Sequence, residues 1–193
     1  MVKIAHEAPL SIVDTVDSIT DYSYFLVHLF EESPEYLKWA KDVVLSGRES
    51  ILDNSIFELE EAFDMKEFNT WVMDLKPTWY IVPDSLENKD ETIANFEKWK
   101  ELGYGYIHAH GNITPKAIGV VQGKSYEEVV ECYNYMNENA DMIAISFDYS
   151  FFEDVFPDEK TKYHKWVKGR RWLLNRMEED NVINYDKPHH LLG

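Results

Sequence analysis

Short apolar, β-branched runs alternate along this chain with longer stretches whose apolar residues recur at helical spacing. The runs predicted to be strands are Lys3–Ala5, Tyr24–Leu29, Ser50–Leu52, Trp79–Val82, Ala117–Val121, Met142–Phe147 and His190–Leu192. The stretches predicted to be helices are Pro34–Leu45, Met65–Leu75, Asp90–Leu102 and Ser125–Asn137. Strands that alternate with helices pair in parallel through right-handed crossovers. The pattern therefore predicts an α/β protein built on a parallel sheet.

The chain has 193 residues, and no low-complexity linker divides it, so we expect a single domain over residues 1–193. A complete eight-fold βα barrel usually needs about 250 residues. About seven predicted strands fit either an open doubly wound sheet or a barrel that lacks one unit. Periodicity alone does not choose between these two architectures.

Polar residues follow four successive predicted strands. Asp53 comes after the third of the seven, Pro83-Asp84 after the fourth, Gln122-Gly123 after the fifth, and Ser146-Phe147-Asp148 at the end of the sixth. In parallel βα folds, ligands bind at the carboxyl ends of the strands. A single Asp after a strand is usually a helix N-cap, and Asp84 before Ser85 fits that alternative. The set of four predicts a binding site more strongly than any one member.

This set suits recognition of a planar, amide-like heterocycle. A carboxylate accepts two hydrogen bonds from adjacent N–H groups, and the Gln122 amide donates to a ring oxygen or nitrogen. Gly123 permits close backbone approach, and Phe147 or Tyr149 is placed to stack on the ring. Two carboxylates in one cleft also share acid–base work.

The formal net charge is −17, which repels nucleic acid at long range. Residues 160–176 nevertheless read KTKYHKWVKGRRWLLNR, with seven Lys or Arg and no Asp or Glu. One interpretation is a solvated helix face whose Trp residues are core. The other is a patch that contacts phosphates, with Lys165, Lys168, Arg170 and Arg171 as the candidate nucleic-acid contacts.

Cys132 is the one cysteine, so neither an internal disulfide nor a cysteine-based zinc site can form. His108 and His110 share one face if they lie on a strand, but a polar loop is the preferred interpretation over a metal site. No apolar run reaches the roughly 18 residues that span a bilayer, and MVKIAHEAPLS is too polar for a signal peptide. We expect a cytoplasmic protein with no membrane partner.

Three stretches together resemble the tRNA-guanine transglycosylase superfamily. ILDNSIFE at 51–58 is similar to its Asp-Ser-Gly-Gly-Phe/Tyr-Gln segment, and AIGVVQGKSYEEV at 117–129 to its Gly-Ile-Val-Gln-Gly segment. KPHHLLG at 187–193 is similar to its Lys/Arg-Pro-His-His/Tyr-Leu-Leu/Met-Gly strand. Asp84, in IVPDSLE, stands where the family carries a base-binding Asp. The chain looks most like short phage-encoded members that place 7-deazaguanines in DNA or tRNA, so the compartment would be the host cytoplasm.

The resemblance implies an α/β, TIM-type (β/α) barrel of which about seven of eight βα units are present. It also implies a pentosyltransferase that exchanges guanine in a nucleic acid for a 7-deazaguanine base. Asp53 would be catalytic, assisting base binding and proton transfer. Asp84 would grip the guanine edge, Gln122 and Gly123 would hold the ring oxygen, and Ser146 and Phe147 would lie under the base.

In that family, the covalent Asp and a zinc site of three Cys and one His follow the Pro-His-His-Leu-Leu-Gly strand. Both would fall beyond Gly193, so we expect no cofactor or metal in this chain, and we expect the chain to be a fragment that binds a base without forming the covalent adduct. If it is intact, we expect a second copy or a partner subunit to cover the missing unit.

Two other functions remain open. One is a non-catalytic subunit that binds a base or nucleic acid and supports a partner. The other is an unrelated βα-barrel enzyme acting on a small metabolite, for which a Gly-rich phosphate loop near the last strands would be the sign.

Overall fold

The computed structural model describes residues 2–61, 63–105 and 114–193. Six strands lie in these residues, in the sheet order β1-β2-β3-β4-β5-β6. Their bounds are β1 Ser23–Leu26, β2 Ser50–Asp53, β3 Trp79–Ile81, β4 Lys116–Val121, β5 Met142–Ile145 and β6 His189–Leu191. The registers of β1 with β2, β2 with β3, β4 with β5 and β5 with β6 are all parallel. The α/β class and the parallel pairing are confirmed.

The predicted barrel with seven of eight units is wrong. The described residues contain six strands in a linear order, whereas a barrel needs its first and last strands to pair with each other. Lys3–Ala5 is not a strand, because Ile4 is bound to a turn instead. The Ile4 backbone N–H donates to Asp21 Oδ2 at 2.7 Å, and its carbonyl accepts from the Asp21 backbone N–H at 2.8 Å.

Helices follow most strands, as the periodicity predicts. A 3₁₀ turn, Leu10–Ile12, precedes the α-helices, which are α1 Val13–Ile19, α2 Leu29–Glu32, α3 Pro34–Leu45, α4 Ile56–Leu59, α5 Met65–Leu75, α6 Lys89–Glu101, α7 Tyr126–Asn139, α8 Phe152–Val155 and α9 Lys162–Glu179. Among the described residues, no helix is both long and apolar enough to cross a membrane.

The start of α7 shows why sequence places these helices well. The Ser125 side chain caps it by accepting from the Glu128 backbone N–H at 3.2 Å. The Glu128 carboxylate reaches back to the Lys124 backbone N–H at 2.8 Å, one residue before the cap. The Ser-x-x-Glu sequence at 125–128 therefore forms a capping pair, in which Ser125 satisfies a helix-end donor that would otherwise have no partner.

Contacts divide the chain into two compact units. The first comprises the residues up to Pro83 together with Lys98–Ala117. Its strands β1, β2 and β3 pair in register, with Leu26 opposite Asp53 and Leu52 opposite Tyr80. Its core consists of fully buried apolar side chains, among them Phe25, Leu52, Phe68, Val72 and Trp99. Burial of these side chains is the main force that holds the first unit together.

The second unit comprises Asp84–Glu97 and Ile118–Gly193. Its core includes Ile118, Tyr133, Phe152 and Leu173, all fully buried. Gly169 lets α9 approach closely, since a Cβ there would lie 2.1 Å from Phe152 Cγ. The ends of β4 and β5 in this unit carry four of the residues predicted to form the site. A single domain over residues 1–193 stays a prediction.

Candidate functional site

The end of β4 in the second unit brings two of the predicted residues into direct contact. Gln122 follows Val121, the last residue of β4, and its Nε2 donates to Asp84 Oδ2 at 2.7 Å. Asp84 is 4% exposed and Gln122 is 2% exposed. A buried carboxylate needs hydrogen-bond donors in place of water, and the Gln122 amide supplies one. The structure therefore brings these two candidate site residues into hydrogen-bond contact.

The Gln122 amide is held in one orientation. The Glu87 backbone N–H donates to Gln122 Oε1 at 2.9 Å, while Nε2 faces Asp84. A backbone N–H only donates and a carboxylate only accepts, so these two neighbours fix which end of the amide lies where. The pair thus presents an acceptor, the carboxylate, beside a donor, the amide nitrogen.

Two buried side chains, Cys132 and Tyr149, form hydrogen bonds with the backbone at the end of β4. The Gln122 backbone N–H donates to Cys132 Sγ at 3.4 Å, and the Tyr149 hydroxyl donates to the Val121 carbonyl at 2.6 Å. Burial, with a further contribution from the Asp84 charge, raises the pKa of the Cys132 thiol to about 11. Burial also raises the pKa of Tyr149. Both groups are therefore neutral at physiological pH, and Cys132 is not an activated nucleophile.

Gly123 has a structural reason to be glycine. A Cβ at this position would lie 2.9 Å from both Glu128 Cβ and the Val129 backbone nitrogen, at the start of α7. The close approach that the sequence suggested for a ligand is thus used by the chain itself. Contact of Gly123 with a base stays a prediction.

Ser146 and Phe147 follow β5 and have different surroundings. Ser146 is 8% exposed, and its Oγ donates to Asp148 Oδ1 at 2.9 Å. Phe147 packs against α9, with its ring centroid 5.7 Å from that of Trp166 and the Arg170 guanidinium 4.7 Å above its face. Tyr149, the alternative stacking residue, is 1% exposed and packs in the core. Contact of Ser146 and Phe147 with a base stays a prediction.

The first unit contains the other candidate, Asp53, at the end of β2. The Tyr24 hydroxyl donates to Asp53 Oδ2, and the Ser55 backbone N–H donates to Oδ1 at 2.6 Å. Burial, followed by the Asp53 charge, raises the pKa of Tyr24 well above its ordinary value. Ser55 adopts a left-handed conformation with φ of 59°, which turns the chain sharply after the strand.

Two further residues near this strand end, Glu7 and His28, were not singled out from the sequence. Burial, followed by the Glu58 charge, raises the pKa of Glu7. The His28 backbone N–H donates to Ser55 Oγ at 3.4 Å, and His28 Nδ1 is buried without a hydrogen-bond partner in the part of the chain that the structure describes.

Because Asp53 lies in the other compact unit, its convergence with Asp84 and Gln122 stays a prediction.

The basic stretch forms most of α9, and its four candidate residues have different surroundings. Arg170 is half-buried, donates to the Leu192 carbonyl and lies over Phe147. Burial, and then the Arg170 charge, lowers the pKa of His190 to about 4. Arg170 is therefore part of the packing between α9 and the strand ends of its own unit.

The other three candidates, Lys165, Lys168 and Arg171, differ in their exposure and in their ion pairing. Lys168 is exposed but pairs with Glu159, whereas Arg171 is exposed and Lys165 is half-buried. For Lys165 and Arg171 the described residues provide no ion pair within 4.0 Å. Lys168, Arg171 and Trp172 line a surface groove of about 500 Å³ that also contains Glu179 and Asp180. Trp166 and Trp172 are half-buried, and contact of this stretch with phosphates stays a prediction.

His108 and His110 lie outside the described residues. Within residues 2–61, 63–105 and 114–193, no group of three or more His, Cys, Asp or Glu side chains is arranged to hold a metal ion.

Comparison with protein-family models gives no match for this chain, and comparison with curated protein sequences gives none either.

Proposed function

We propose that this chain is a guanine-transglycosylase-like protein that binds guanine or a 7-deazaguanine base through Asp84 and Gln122. The observation that carries the proposal is the buried contact of 2.7 Å between the Gln122 amide nitrogen and the Asp84 carboxylate. The sequence resemblance supplies the reaction class, exchange of a base in DNA or tRNA by a pentosyltransferase. The geometry supports the recognition step of that reaction.

Guanine has an edge that matches this pair. Its N1–H and exocyclic N2–H both donate, and O6 beside them accepts. A carboxylate takes the two donors, and the second Nε2 hydrogen of Gln122 is suited to O6. Adenine offers one N–H beside a ring acceptor, so it places only one donor on the carboxylate. Hydrogen bonds to a charged group contribute about 1.5–3 kcal/mol each, which corresponds to a preference of at least about tenfold for guanine.

Asp53 has a separate role in the proposal, that of the catalytic carboxylate that assists proton transfer. Two donors, the Tyr24 hydroxyl and the Ser55 backbone N–H, hold its two oxygens in fixed positions. A general acid or base needs such orientation before its pKa matters.

The nucleic acid would be contacted by the exposed side chains of α9. Lys165 and Arg171 have no ion pair among the described residues, and Lys168 is exposed on the same helix. Cationic side chains on one helix supply a local phosphate contact even on a chain of net charge −17.

Titration calorimetry of the 193-residue chain with guanine, hypoxanthine and adenine tests the recognition step. We expect guanine to bind at least about tenfold more tightly than adenine, with hypoxanthine between them because it lacks the N2 donor. Asp84→Asn should weaken guanine binding about 100-fold, since it removes the charged acceptor. Asp158→Asn, at an exposed position, is the matched control and should bind as the parent does.

Equal affinity for the three bases, or guanine binding by Asp84→Asn at the parent's affinity, would contradict the proposal. Incubation with labelled guanine and guanosine-containing DNA or tRNA then tests for base exchange. Exchange supports a transferase, whereas copurification of a catalytic partner with a chain that binds guanine without exchange supports a base-binding subunit.

A further inference from the structure

Glu87 lies in the short loop between Asp84 and α6 and has an unusual backbone conformation. Its φ is 55°, in the left-handed region that favours glycine. The turn around it is closed by the Asn88 backbone N–H, which donates to the Ser85 carbonyl at 3.1 Å. Ser85 is in turn held by Thr92, whose Oγ1 accepts from the Ser85 backbone N–H at 3.0 Å. A non-glycine residue kept in this region needs compensating contacts.

Glu87 makes those contacts with two other loops of its own unit. Its backbone N–H donates to Gln122 Oε1 at 2.9 Å, at the end of β4. Its carboxylate accepts from the Ser150 backbone N–H, in the loop after β5. One residue therefore connects the loops that follow three strands, which are the loop that contains Asp84, the end of β4 and the loop between β5 and α8.

We propose that Glu87 is a positioning residue that sets the donor–acceptor order of the Asp84–Gln122 pair. The inference rests on the proposed function, because it assigns Glu87 to the specificity of the same site. The left-handed turn directs the Glu87 N–H at Gln122 Oε1, and the carboxylate holds the turn in place through Ser150.

The polarity of the amide depends on this donor. If the Gln122 side chain turned over, Nε2 would face the Glu87 N–H and Oε1 would face Asp84 Oδ2. Donor would then meet donor and acceptor would meet acceptor, so both hydrogen bonds would be lost. With the Glu87 N–H displaced, the first of these two constraints disappears. The Asp84 contact alone then holds the amide, so the side chain also visits rotamers in which Nε2 leaves Asp84, and only the observed orientation complements guanine.

The expected size follows from the fraction of correctly oriented amide. The apparent dissociation constant rises in inverse proportion to the fraction of binding-competent protein. If the competent fraction falls to about one tenth, guanine binds about tenfold more weakly. Adenine, which uses one carboxylate contact, should change by less than about threefold, so the preference for guanine shrinks.

Two substitutions separate the side chain of Glu87 from its backbone. Glu87→Ala keeps the same left-handed requirement and removes the carboxylate, whereas Glu87→Gln keeps an oxygen that accepts from Ser150. We expect guanine binding to weaken about tenfold in Glu87→Ala and by less than about twofold in Glu87→Gln. Glu138→Ala, at an exposed position on α7 of the same unit, is the control and should bind as the parent does.

A second measurement on the free protein keeps this inference distinct from the proposed function. We expect the Gln122 side-chain amide protons and the Ser150 backbone N–H, followed by NMR hydrogen exchange, to exchange faster in Glu87→Ala than in the parent. Unchanged exchange of both would overturn the role of Glu87, whatever the base affinities are. If the parent binds no guanine, the proposed function fails, and the exchange rates still decide whether Glu87 positions Gln122.

Discussion

Two strand ends in this chain carry an aspartate, and the chain surrounds the two carboxylates differently. Asp53 in the first unit accepts from a phenol and from a backbone N–H, one on each oxygen. Asp84 in the second unit accepts from a side-chain amide whose own oxygen is held by a third residue, Glu87. Both groups that contact Asp53 act toward it as donors. The group that contacts Asp84 is the Gln122 side-chain amide, which carries a donor at one end and an acceptor at the other.

This difference indicates why the two aspartates suit different tasks. An amide beside a carboxylate presents a mixed donor and acceptor edge, as base recognition requires. A carboxylate oriented by a phenol and a backbone N–H presents one type of group in a fixed place, as proton transfer requires. The sequence signal, an Asp after an apolar strand, is the same in both. The partner from a neighbouring strand, Tyr24 or Gln122, creates the difference.

Gln122→Glu has the largest expected effect, because it should disrupt the contact between residue 122 and Asp84. It places a second carboxyl group in buried contact with Asp84, where two charges repel and both are poorly hydrated. We expect a loss of about 3 kcal/mol in the free energy of unfolding at pH 8. The introduced carboxyl group titrates at higher pH in the folded than in the unfolded chain. The missing stability should therefore return as the pH falls toward 5.

Urea unfolding at pH 8 and pH 5 measures this effect. Asn134→Asp adds the same charge at an exposed position of α7 and should change the free energy of unfolding by less than about 0.5 kcal/mol. A Gln122→Glu protein that is as stable as the parent at pH 8 would mean that the Asp84 contact is open to water.

Tyr24→Phe tests the first strand end and has a smaller expected effect. It removes the hydroxyl that donates to Asp53 and keeps the ring, so we expect a loss of about 1–2 kcal/mol at pH 7. The folded-state pKa of Tyr24 lies well above that of an unfolded tyrosine, with burial as the main cause. Its contribution is therefore complete below about pH 10 and is lost as the pH rises through the folded-state pKa. The difference between the two proteins should narrow above pH 10.

Urea unfolding between pH 7 and pH 11 follows this difference. Tyr185→Phe is the control, because Tyr185 also donates to a carboxylate, Glu178, but is 73% exposed. It should cost less than about 0.5 kcal/mol. A constant difference between the parent and Tyr24→Phe from pH 7 to pH 11 would show that Tyr24 does not ionise at higher pH in the folded chain.

The sequence located the polar strand ends because their signal is local. A short apolar run ends where polar residues begin, so Asp53, Asp84, Gln122 and Ser146 were expected near strand ends. In the structure Asp53 is the last residue of β2, Gln122 and Ser146 directly follow β4 and β5, and Asp84 lies three residues after β3. The prediction of a strand at Lys3–Ala5 was wrong because so short a run carries too little local signal. A run of three residues has no periodicity to measure, and the bonds of Ile4 to Asp21 decide its conformation.

The partners at each site could not be predicted in the same way. Tyr24 reads as one more apolar strand residue, and its hydroxyl reaches Asp53 from two residues before Leu26, the register partner of Asp53. Glu87 is a charged residue in a loop, and no pattern distinguishes a left-handed glutamate from a solvated one. The barrel with about seven of eight units was an inference from resemblance, which extends a whole fold from a few short motifs. Strand pairing depends on contacts that those motifs do not contain.

The last prediction has the smallest expected effect and concerns α9. On this helix Arg170 packs within the second unit, whereas Lys165 and Arg171 are the proposed phosphate contacts. We expect Lys165→Gln and Arg171→Gln each to weaken binding of labelled single-stranded DNA or tRNA by less than about 1 kcal/mol, and each to reduce the salt dependence of log K by about one phosphate contact. Arg170→Gln should instead lower stability, since Arg170 donates to the Leu192 carbonyl and covers Phe147.

Fluorescence anisotropy between 50 and 200 mM salt measures the slopes, with Lys66→Gln as the charge-matched control at an exposed position of the first unit. Equal slopes for Lys66→Gln and the α9 variants would mean that only net charge matters and that α9 is not the contact. A lower slope for both α9 variants, with an unchanged slope for Lys66→Gln, places the phosphate backbone on the outward face of α9. The second unit would then carry both the proposed base site and the nucleic-acid contact.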